Sequence, residues 1–457
     1  MRDLRNEGDV FARIIPWILS LFLLVGWIPM IDYPTNTLSN MLNEPLASSL
    51  YYFVVGLFFV VFMVVAYIHM KKRPAVRFLI IFLVMLIYSL IVYFLHESKI
   101  SVDYGDGALV TYSLDVGFSL AYAAEIIYDL IFAFGFIFLW PYQKRDPKNQ
   151  WVFPLVVVAI GLASSIYGYV RYYGSAVSSS SGGNNGIFTS FYSDNVEYGK
   201  IIFVSTFSCF ILAYSFKGWI RGLLIFLGLY FVSVSLTSYL SVAFFSSAVA
   251  LFLLAISVIV DARKKKDRHS FLAISSYIYM ACLLTFILLL CIPSSVSTYL
   301  QARTTEPFSK LFMDRCDRWA GFFSNLSGYR IFVGDGLMGY FRDGFYAGNA
   351  NPSLSALNNG FIEAFDAGGV VYLLFYLFLV FISFSSLARN ESHNSSFFTM
   401  MISFTVGFLL YSMLSNERLL FSSHYASFVA SYLFCCYSSK GTMAEPIIDE
   451  PKALKAQ

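Results

Sequence analysis

A polar segment, residues 293–369, concentrates arginines in a chain that is otherwise poor in charge. Arg315 and Arg318 lie three positions apart in it, so they would project from one face if residues 312–323 form a helix. Guanidinium groups stay charged at physiological pH and present a planar fork that matches phosphate oxygens. The segment therefore predicts a site for an anionic ligand, with phosphate or pyrophosphate as the best match. The alternative is that these arginines form ion pairs with acidic residues of the same segment.

A second set of ionisable residues lies within an apolar stretch. Glu125 and Asp129 are four positions apart, so they share one face if the stretch is helical. Ionisable groups in the middle of a membrane span are costly and face a cavity or a partner. The pair is either a site carboxylate or proton relay, or part of a structural network with hydroxyl groups or an arginine.

The elements that must position these residues are membrane helices. The chain has 457 residues and is 58% hydrophobic, 19% aromatic and only 13% charged, whereas soluble domains carry roughly 25% charged residues. Because so little charge cannot cover a soluble fold of this length, the composition predicts an all-α, polytopic membrane protein. The net charge of +3 gives no indication of a nucleic-acid partner.

Apolar runs close to the length that crosses a bilayer, about 20 residues, predict twelve transmembrane helices. Lys and Arg concentrate in alternate connections, which places both termini in the cytoplasm. The seventh and eighth runs are almost contiguous, so they form either a tight hairpin or one broken pair. The predicted spans cover residues 14–30, 50–69, 78–95, 116–140, 151–170, 201–215, 223–240, 242–260, 271–292, 370–387, 397–414 and 427–437.

This topology places the two largest connections, residues 171–200 and 293–369, on the outer side of the membrane. The longer one has aromatic residues at spacings that can pack, and long segments without a span are often functional. We therefore expect it to fold, with short helices. Residues 1–457 are interpreted as one membrane domain, and the polar tail, residues 443–457, is expected to be disordered in the cytoplasm.

Other common chemistries find no support in the sequence. The five histidines are scattered without metal-ligand spacing. There is no Walker-type loop and no Gly-rich dinucleotide turn. Five of the six cysteines lie in or beside predicted spans, so no disulfide framework is expected. We therefore expect neither a metal ion nor an organic cofactor.

Three runs of the longer outer segment resemble the O-antigen polymerase and O-antigen ligase superfamily. They are DRW at 317–319, IFVGDGL at 331–337 and LNNGFIEAFDAGGVV at 357–371. The shorter outer segment adds YVRYYG at 169–174 and SDN at 193–195, which is similar to another pattern of the same superfamily. The resemblance implies a GT-C-like arrangement of about twelve transmembrane helices in the bacterial inner membrane, with two larger periplasmic loops.

One departure favours a polymerase of the Wzy type over a ligase. Ligases of this superfamily have a histidine where this chain has Asn358, and residues 293–369 contain no histidine at all. The resemblance therefore implies polymerisation of oligosaccharide repeat units carried on undecaprenyl pyrophosphate, as O-antigen or capsule, at the periplasmic face. A chain-length regulator and a flippase are the partners that it implies. An O-antigen ligase is the alternative enzyme.

The implied reaction gives each candidate residue a role. Cations would stabilise the pyrophosphate leaving group without a metal, and the substrate-binding candidates are Arg171, Arg315, Arg318 and Arg330. A general base would accept the proton of the acceptor hydroxyl, and the candidates are Glu363, Asp366 and Glu125. Asn359 would orient the sugar or the loop, while Gly334 and Gly336 would let the backbone turn tightly beneath the ligand.

A transporter is the main alternative outside enzymes. A flippase for lipid-linked oligosaccharides, or a proton-coupled transporter, would place polar residues and broken helices at the midplane of the membrane. Glu125 and Asp129 fit that interpretation, whereas a long folded outer segment does not.

Overall fold

A computed structural model gives the architecture of the chain. It describes residues 3–27, 45–69, 84, 87, 88, 91, 99–103, 109–113, 151–178, 190, 195–238, 240–264, 271–326, 328–334, 359–389 and 395–415. Several predictions concern residues outside these ranges: the spans 116–140 and 427–437, most of the span 78–95, the tail 443–457, and the candidate residues Glu125 and Gly336.

Twelve helices and one β-hairpin make up the described part of the chain. The helices are α1 (Asp3–Trp27), α2 (Pro45–His69), α3 (Val152–Ser178), α4 (Asn195–Ser215), α5 (Trp219–Thr237), α6 (Ser241–Lys264), α7 (Phe271–Cys291), α8 (Ser295–Arg303), α9 (Thr305–Asn325), α10 (Arg330–Val333), α11 (Gly360–Arg389) and α12 (Ser395–Met413). Strands β1 (Lys99–Asp103) and β2 (Leu109–Ser113) pair antiparallel.

The helices carry the apolar surface of a membrane protein. Within the described residues, α3, α5, α6 and α7 contain stretches long and apolar enough to cross a bilayer, and α1, α2, α4 and α12 carry shorter apolar stretches. Large apolar side chains, such as Phe58 on α2 and Ile278 on α7, lie exposed on the outside of the bundle. Such extended apolar surface fits lipid rather than water. The fold is therefore that of an α-helical membrane protein, as the composition predicts.

Small residues allow the central helices to approach closely. A side chain at Gly161 on α3 would overlap the Ser205 side chain of α4. A Cβ at Gly407 on α12 would lie 2.8 Å from Cβ of Ala250 and from the Ser246 carbonyl oxygen, both on α6. Because lipid tails are as apolar as the side chains, helices in membranes associate through such close packing. The bundle core forms where α4, α6 and α12 meet.

The connection between α5 and α6 is a tight hairpin, which decides between the two arrangements that the sequence leaves open. The backbone N–H of Ser238 donates to the Val234 carbonyl at 2.9 Å, and that of Leu240 donates to the Ser235 carbonyl at 2.9 Å. The helices reverse direction there, because the start of α5 and the end of α6 line the same groove.

Helices α8 to α10 form a layer at one end of this bundle. The Ser294 and Ser297 side chains each accept a hydrogen bond from the other residue's backbone N–H, which starts α8 just after α7. The Gln301 amide nitrogen then donates to the Leu290 carbonyl at 2.9 Å, so α8 folds back onto the end of α7. The Phe308 ring of α9 contacts the Phe245 ring of α6, with centroids 4.0 Å apart.

Some bounds differ from the predicted ones. Helix α3 continues past residue 170, through Arg171 to Ser178, and α4 begins at Asn195 rather than at residue 201. Both helices thus extend into residues 171–200. The β-hairpin was not predicted at all.

Candidate functional site

Arg315 belongs to the face of α9 that packs on the membrane helices. Phe308, Phe312, Trp319 and Phe322 lie on the same face of this helix, because positions three and four apart are neighbours. The rings of Phe308 and Phe312 are 6.3 Å apart, and those of Phe312 and Trp319 are 6.0 Å apart. Arg315 occupies the middle of this aromatic row and is only 4% exposed.

Burial distinguishes Arg315 from the other cations of α9. The Nε and Nη1 atoms of Arg315 have almost no solvent-accessible surface. Arg318, one turn further along, is half-buried, whereas Lys310 is exposed. A buried guanidinium has lost its water and must be stabilised by neighbouring polar groups or charges. Arg315 and Arg318 are therefore cations in a partly desolvated setting, where an anionic partner stabilises them more strongly than in water.

The start of α11 supplies the acidic side of the site. The Asn359 Oδ1 accepts hydrogen bonds from the backbone N–H of Phe361 at 3.0 Å and of Ile362 at 3.2 Å, so Asn359 caps the helix. Glu363 and Asp366 follow, three residues apart and therefore on one face. They are 4% and 3% exposed.

One aromatic contact joins the two helices. The Phe322 ring of α9 packs edge-on against the Phe365 ring of α11, with centroids 6.1 Å apart. Both rings are buried in a small cluster with Leu326, directly after α9, and with apolar residues of α10 and α11. Phe322 lies one turn after Arg318 and two turns after Arg315, and Phe365 lies between the two carboxylates. The contact therefore places α9 beside the first two turns of α11, which carry the carboxylates. We refer to Arg315, Arg318, Glu363 and Asp366 as the α9–α11 site.

A backbone break divides α11 just after the two carboxylates. Gly368 and Gly369 have non-helical φ and ψ values, so residues 360–367 form a separate half-helix before the second segment begins at Val370. Gly334, at the end of α10, packs directly on this break. A Cβ there would lie 2.5 Å from the Asp366 carbonyl oxygen and from the Gly368 and Gly369 nitrogens. Tyr88 donates a hydrogen bond to the Gly368 carbonyl at 3.1 Å.

Glycine is required on both sides of this contact. Gly334 has φ of 73° and Gly369 has φ of 64°, in the left-handed region that other residues adopt only with strain. A Cβ on Gly369 would overlap the Phe332 carbonyl group. The sequence predicts a tight backbone turn at Gly334. In the structure, Gly334 allows α10 and α11 to approach closely.

Two further candidates, Arg171 and Arg330, lie around the same end of the bundle. Tyr169, two residues before Arg171, shares a hydrogen bond of 2.8 Å with Thr237 at the end of α5. The backbone of Arg171 therefore lies at the end that carries α9. Arg330 begins α10 and is half-buried, and its carbonyl accepts a hydrogen bond from the Gly334 N–H at 2.8 Å.

Sequence reasoning identified only part of the contacts between α9, α10 and α11, which Phe322, Phe365 and Gly369 make. The aromatic spacing of the long segment predicts that Phe322 packs, and the glycine pair 368–369 interrupts the sequence before an apolar run. Nothing in the sequence indicates Phe365, one of 48 phenylalanines in the chain, as the partner of Phe322.

The fold and the site define the class of the protein: an α-helical membrane protein with buried arginine and carboxylate side chains on two helices, α9 and α11, that meet through the Phe322–Phe365 contact. Comparison with known proteins adds no family, since no protein-family model matches the chain and no curated protein is significantly similar to it.

Proposed function

We propose that the protein is a membrane glycosyltransferase that polymerises oligosaccharide repeat units carried on undecaprenyl pyrophosphate. The observation that carries the proposal is the α9–α11 site, where buried Arg315 lies on one helix, buried Glu363 and Asp366 lie on another, and the Phe322–Phe365 contact joins the two helices. This combination supplies both groups that the reaction needs. The resemblance in sequence supplies the substrate class and the periplasmic face of the inner membrane.

In the proposed reaction, the terminal hydroxyl of an incoming lipid-linked unit attacks the anomeric carbon of the growing glycan. A new glycosidic C–O bond forms, and the bond between the anomeric carbon and the pyrophosphate oxygen breaks. The hydroxyl proton passes to a carboxylate, for which Glu363 and Asp366 are the best-placed candidates of the described residues. The bonding electrons leave with undecaprenyl pyrophosphate.

The arginines would act on the leaving group. Negative charge grows on the pyrophosphate as its bond to the sugar breaks, and preorganised cations stabilise that charge most effectively where water is excluded. Arg315 is held by the packing of α9, so its position costs little reorganisation. Arg318 is half-buried and can meet a ligand from the solvent side. Arg171 and Arg330 would widen the positive surface around the same end.

A glycan ladder assay tests the proposal. Cells that lack the protein would be complemented with wild type, with Arg318→Ala or with Lys310→Ala, at equal membrane levels. Lys310 lies on the same helix but is exposed, so its loss controls for charge alone. We expect wild type and Lys310→Ala to restore long chains, and Arg318→Ala to yield single repeat units. Equal ladders from Arg318→Ala and Lys310→Ala would show that Arg318 has no specific role in polymerisation.

A transporter of lipid-linked oligosaccharides is the second candidate, because one observation favours it. The break at Gly368 and Gly369 makes α11 a discontinuous helix, a feature that transporters use at their binding sites. The two functions differ in where substrate accumulates when the protein is absent. Single units that still reach the outer face would indicate a polymerase, whereas units retained on the inner face would indicate a flippase. Long chains that form but stay on the lipid carrier would instead indicate an O-antigen ligase.

A further inference from the structure

A groove lies at the end of the bundle opposite to the α9–α11 site. Side chains of α4, α5, α6, α7 and α12 line it. The walls come from the first half of α5 and the second half of α6, together with the start of α7, so the groove belongs to the end at which α4 and α6 finish. This end lies away from α8, α9 and the start of α11.

The lining of the groove is apolar along most of its length. On α5, Ile225 and Leu229 follow Arg221 at four-residue steps, so the three side chains form one row. This row spans about 12 Å at 1.5 Å per residue. Leu251 and Ala255 of α6 lie on the facing wall. An elongated apolar groove in a membrane-spanning region fits a hydrocarbon chain.

A single cation stands at one end of this row. The Arg221 Nε donates a hydrogen bond to the carbonyl of Ala213, in the last turn of α4, at 2.8 Å. Helix carbonyls at this position lack a partner within their own helix, so the contact caps α4 and fixes the guanidinium. A guanidinium has five N–H donors, and this is the one hydrogen bond that Arg221 makes within the described part of the chain. The other four donors can therefore bind an anionic group.

The neighbouring sequence adds further positive charge to this end. Lys217 is exposed just before α5, and α6 ends with Arg263 and Lys264. The sequence continues from there with Lys265, Lys266 and Arg268. Basic pockets between transmembrane helices attract anionic lipid headgroups, at about 1 kcal/mol per Lys or Arg near the surface.

We propose that this groove binds one anionic phospholipid from the surrounding bilayer. One acyl chain would lie along the row from Ile225 to Leu229, and the phosphate of the headgroup would accept hydrogen bonds from Arg221. The groove is separate from the α9–α11 site, so the inference does not depend on the reaction proposed above. The lipid would fill the space between α5 and α7 and stabilise the packing of both on α6.

Native mass spectrometry of the full-length, delipidated protein tests this inference. Dioleoyl-phosphatidylglycerol and dioleoyl-phosphatidylcholine, which differ only in the headgroup, would be titrated separately. We expect one phosphatidylglycerol to bind with clear preference. Leu229→Trp fills the groove and should abolish that binding. Leu223→Trp is the matched control, since Leu223 lies on the same helix, is 46% exposed and does not line the groove.

A second variant separates the headgroup from the chain. Arg221→Gln keeps a donor for the Ala213 carbonyl but removes the charge, so phosphatidylglycerol should bind about fivefold more weakly. Phosphatidylcholine should lose less, because its choline cation offsets the charge of the phosphate. Circular dichroism would confirm the fold of each variant. If Arg221→Gln fails to fold, the comparison of Leu229→Trp with Leu223→Trp tests the proposal. Equal binding by Leu229→Trp and Leu223→Trp would overturn the proposal. So would equal binding of both lipids by wild type, or displacement of the lipid by sn-glycerol 3-phosphate.

Discussion

The Phe322 ring of α9 meets the Phe365 ring of α11 edge-on, with 6.1 Å between their centroids. Because α9 is otherwise anchored at its start, through Phe308 and Phe245, this second contact sets how the helix lies across the bundle. An apolar contact thus joins the helix that carries Arg315 and Arg318 to the helix that carries Glu363 and Asp366.

Phe322→Ala tests this dependence. Removal of a buried phenylalanine costs roughly 3 kcal/mol or more, and the loss should also uncouple α9 from α11 and lower glycan polymerisation. Phe323→Ala is the matched control, because its ring is 54% exposed and its removal should change the unfolding free energy by less than about 1 kcal/mol. The measurements are thermal unfolding of the detergent-solubilised protein and the ladder assay. Equal effects of the two variants would contradict the anchoring role of Phe322.

Gly334→Ala tests the contact between α10 and the break in α11. Both Gly334 and Gly328 have positive φ, so alanine at either position costs about 1 kcal/mol in backbone strain. Only at Gly334 would the added Cβ also meet backbone atoms, since nothing lies within 4 Å of a Cβ at Gly328. Gly334→Ala should therefore lower the unfolding midpoint considerably more than Gly328→Ala. Similar midpoints would mean that α10 can move away from α11 without cost.

The sequence predicts the membrane helices well where hydropathy alone decides them. The predicted span from residue 370 begins where α11 resumes after its break, because two adjacent glycines end one helical segment and the apolar run defines the next. The ends of α7 lie within one residue of the predicted span 271–292. Twelve spans remain a prediction, since several of them lie outside the described residues.

The sequence does not predict features that depend on tertiary contacts or on short segments. Helix α3 continues past the apolar run through Arg171, because a helix can extend beyond the apolar stretch that spans the membrane, which hydropathy does not register. Apolar runs of about 20 residues indicate membrane spans, and such a pattern does not detect the five-residue strands Lys99–Asp103 and Leu109–Ser113. The contact between Phe322 and Phe365 joins residues 43 positions apart, and no local sequence pattern predicts it.

Substitutions of Asn359 separate its structural role from a role in sugar binding. Asn359→Ala removes the acceptor for the Phe361 and Ile362 N–H groups and should cost about 1 kcal/mol of stability. Asn359→Asp keeps an acceptor oxygen at the cap and should restore the unfolding midpoint. If Asn359 only caps the helix, Asn359→Asp also restores the glycan ladder. A stable Asn359→Asp protein without polymerisation would instead show that the amide group itself contacts substrate.

The two buried carboxylates of α11 are distinguished by neutral substitutions of the same shape. Glu363→Gln and Asp366→Asn each remove a proton acceptor and leave the side-chain size unchanged, and loss of a general base lowers the rate by roughly 100-fold or more. Asp317→Asn is the control, because Asp317 is an exposed carboxylate on α9. We expect the control to keep the wild-type rate of chain extension on purified lipid-linked units, and at least one α11 variant to lose it while still binding substrate. The variant that does so identifies the base. If both α11 variants extend chains at the wild-type rate, neither residue accepts the proton, and Glu125, which lies outside the described part of the chain, is the remaining candidate.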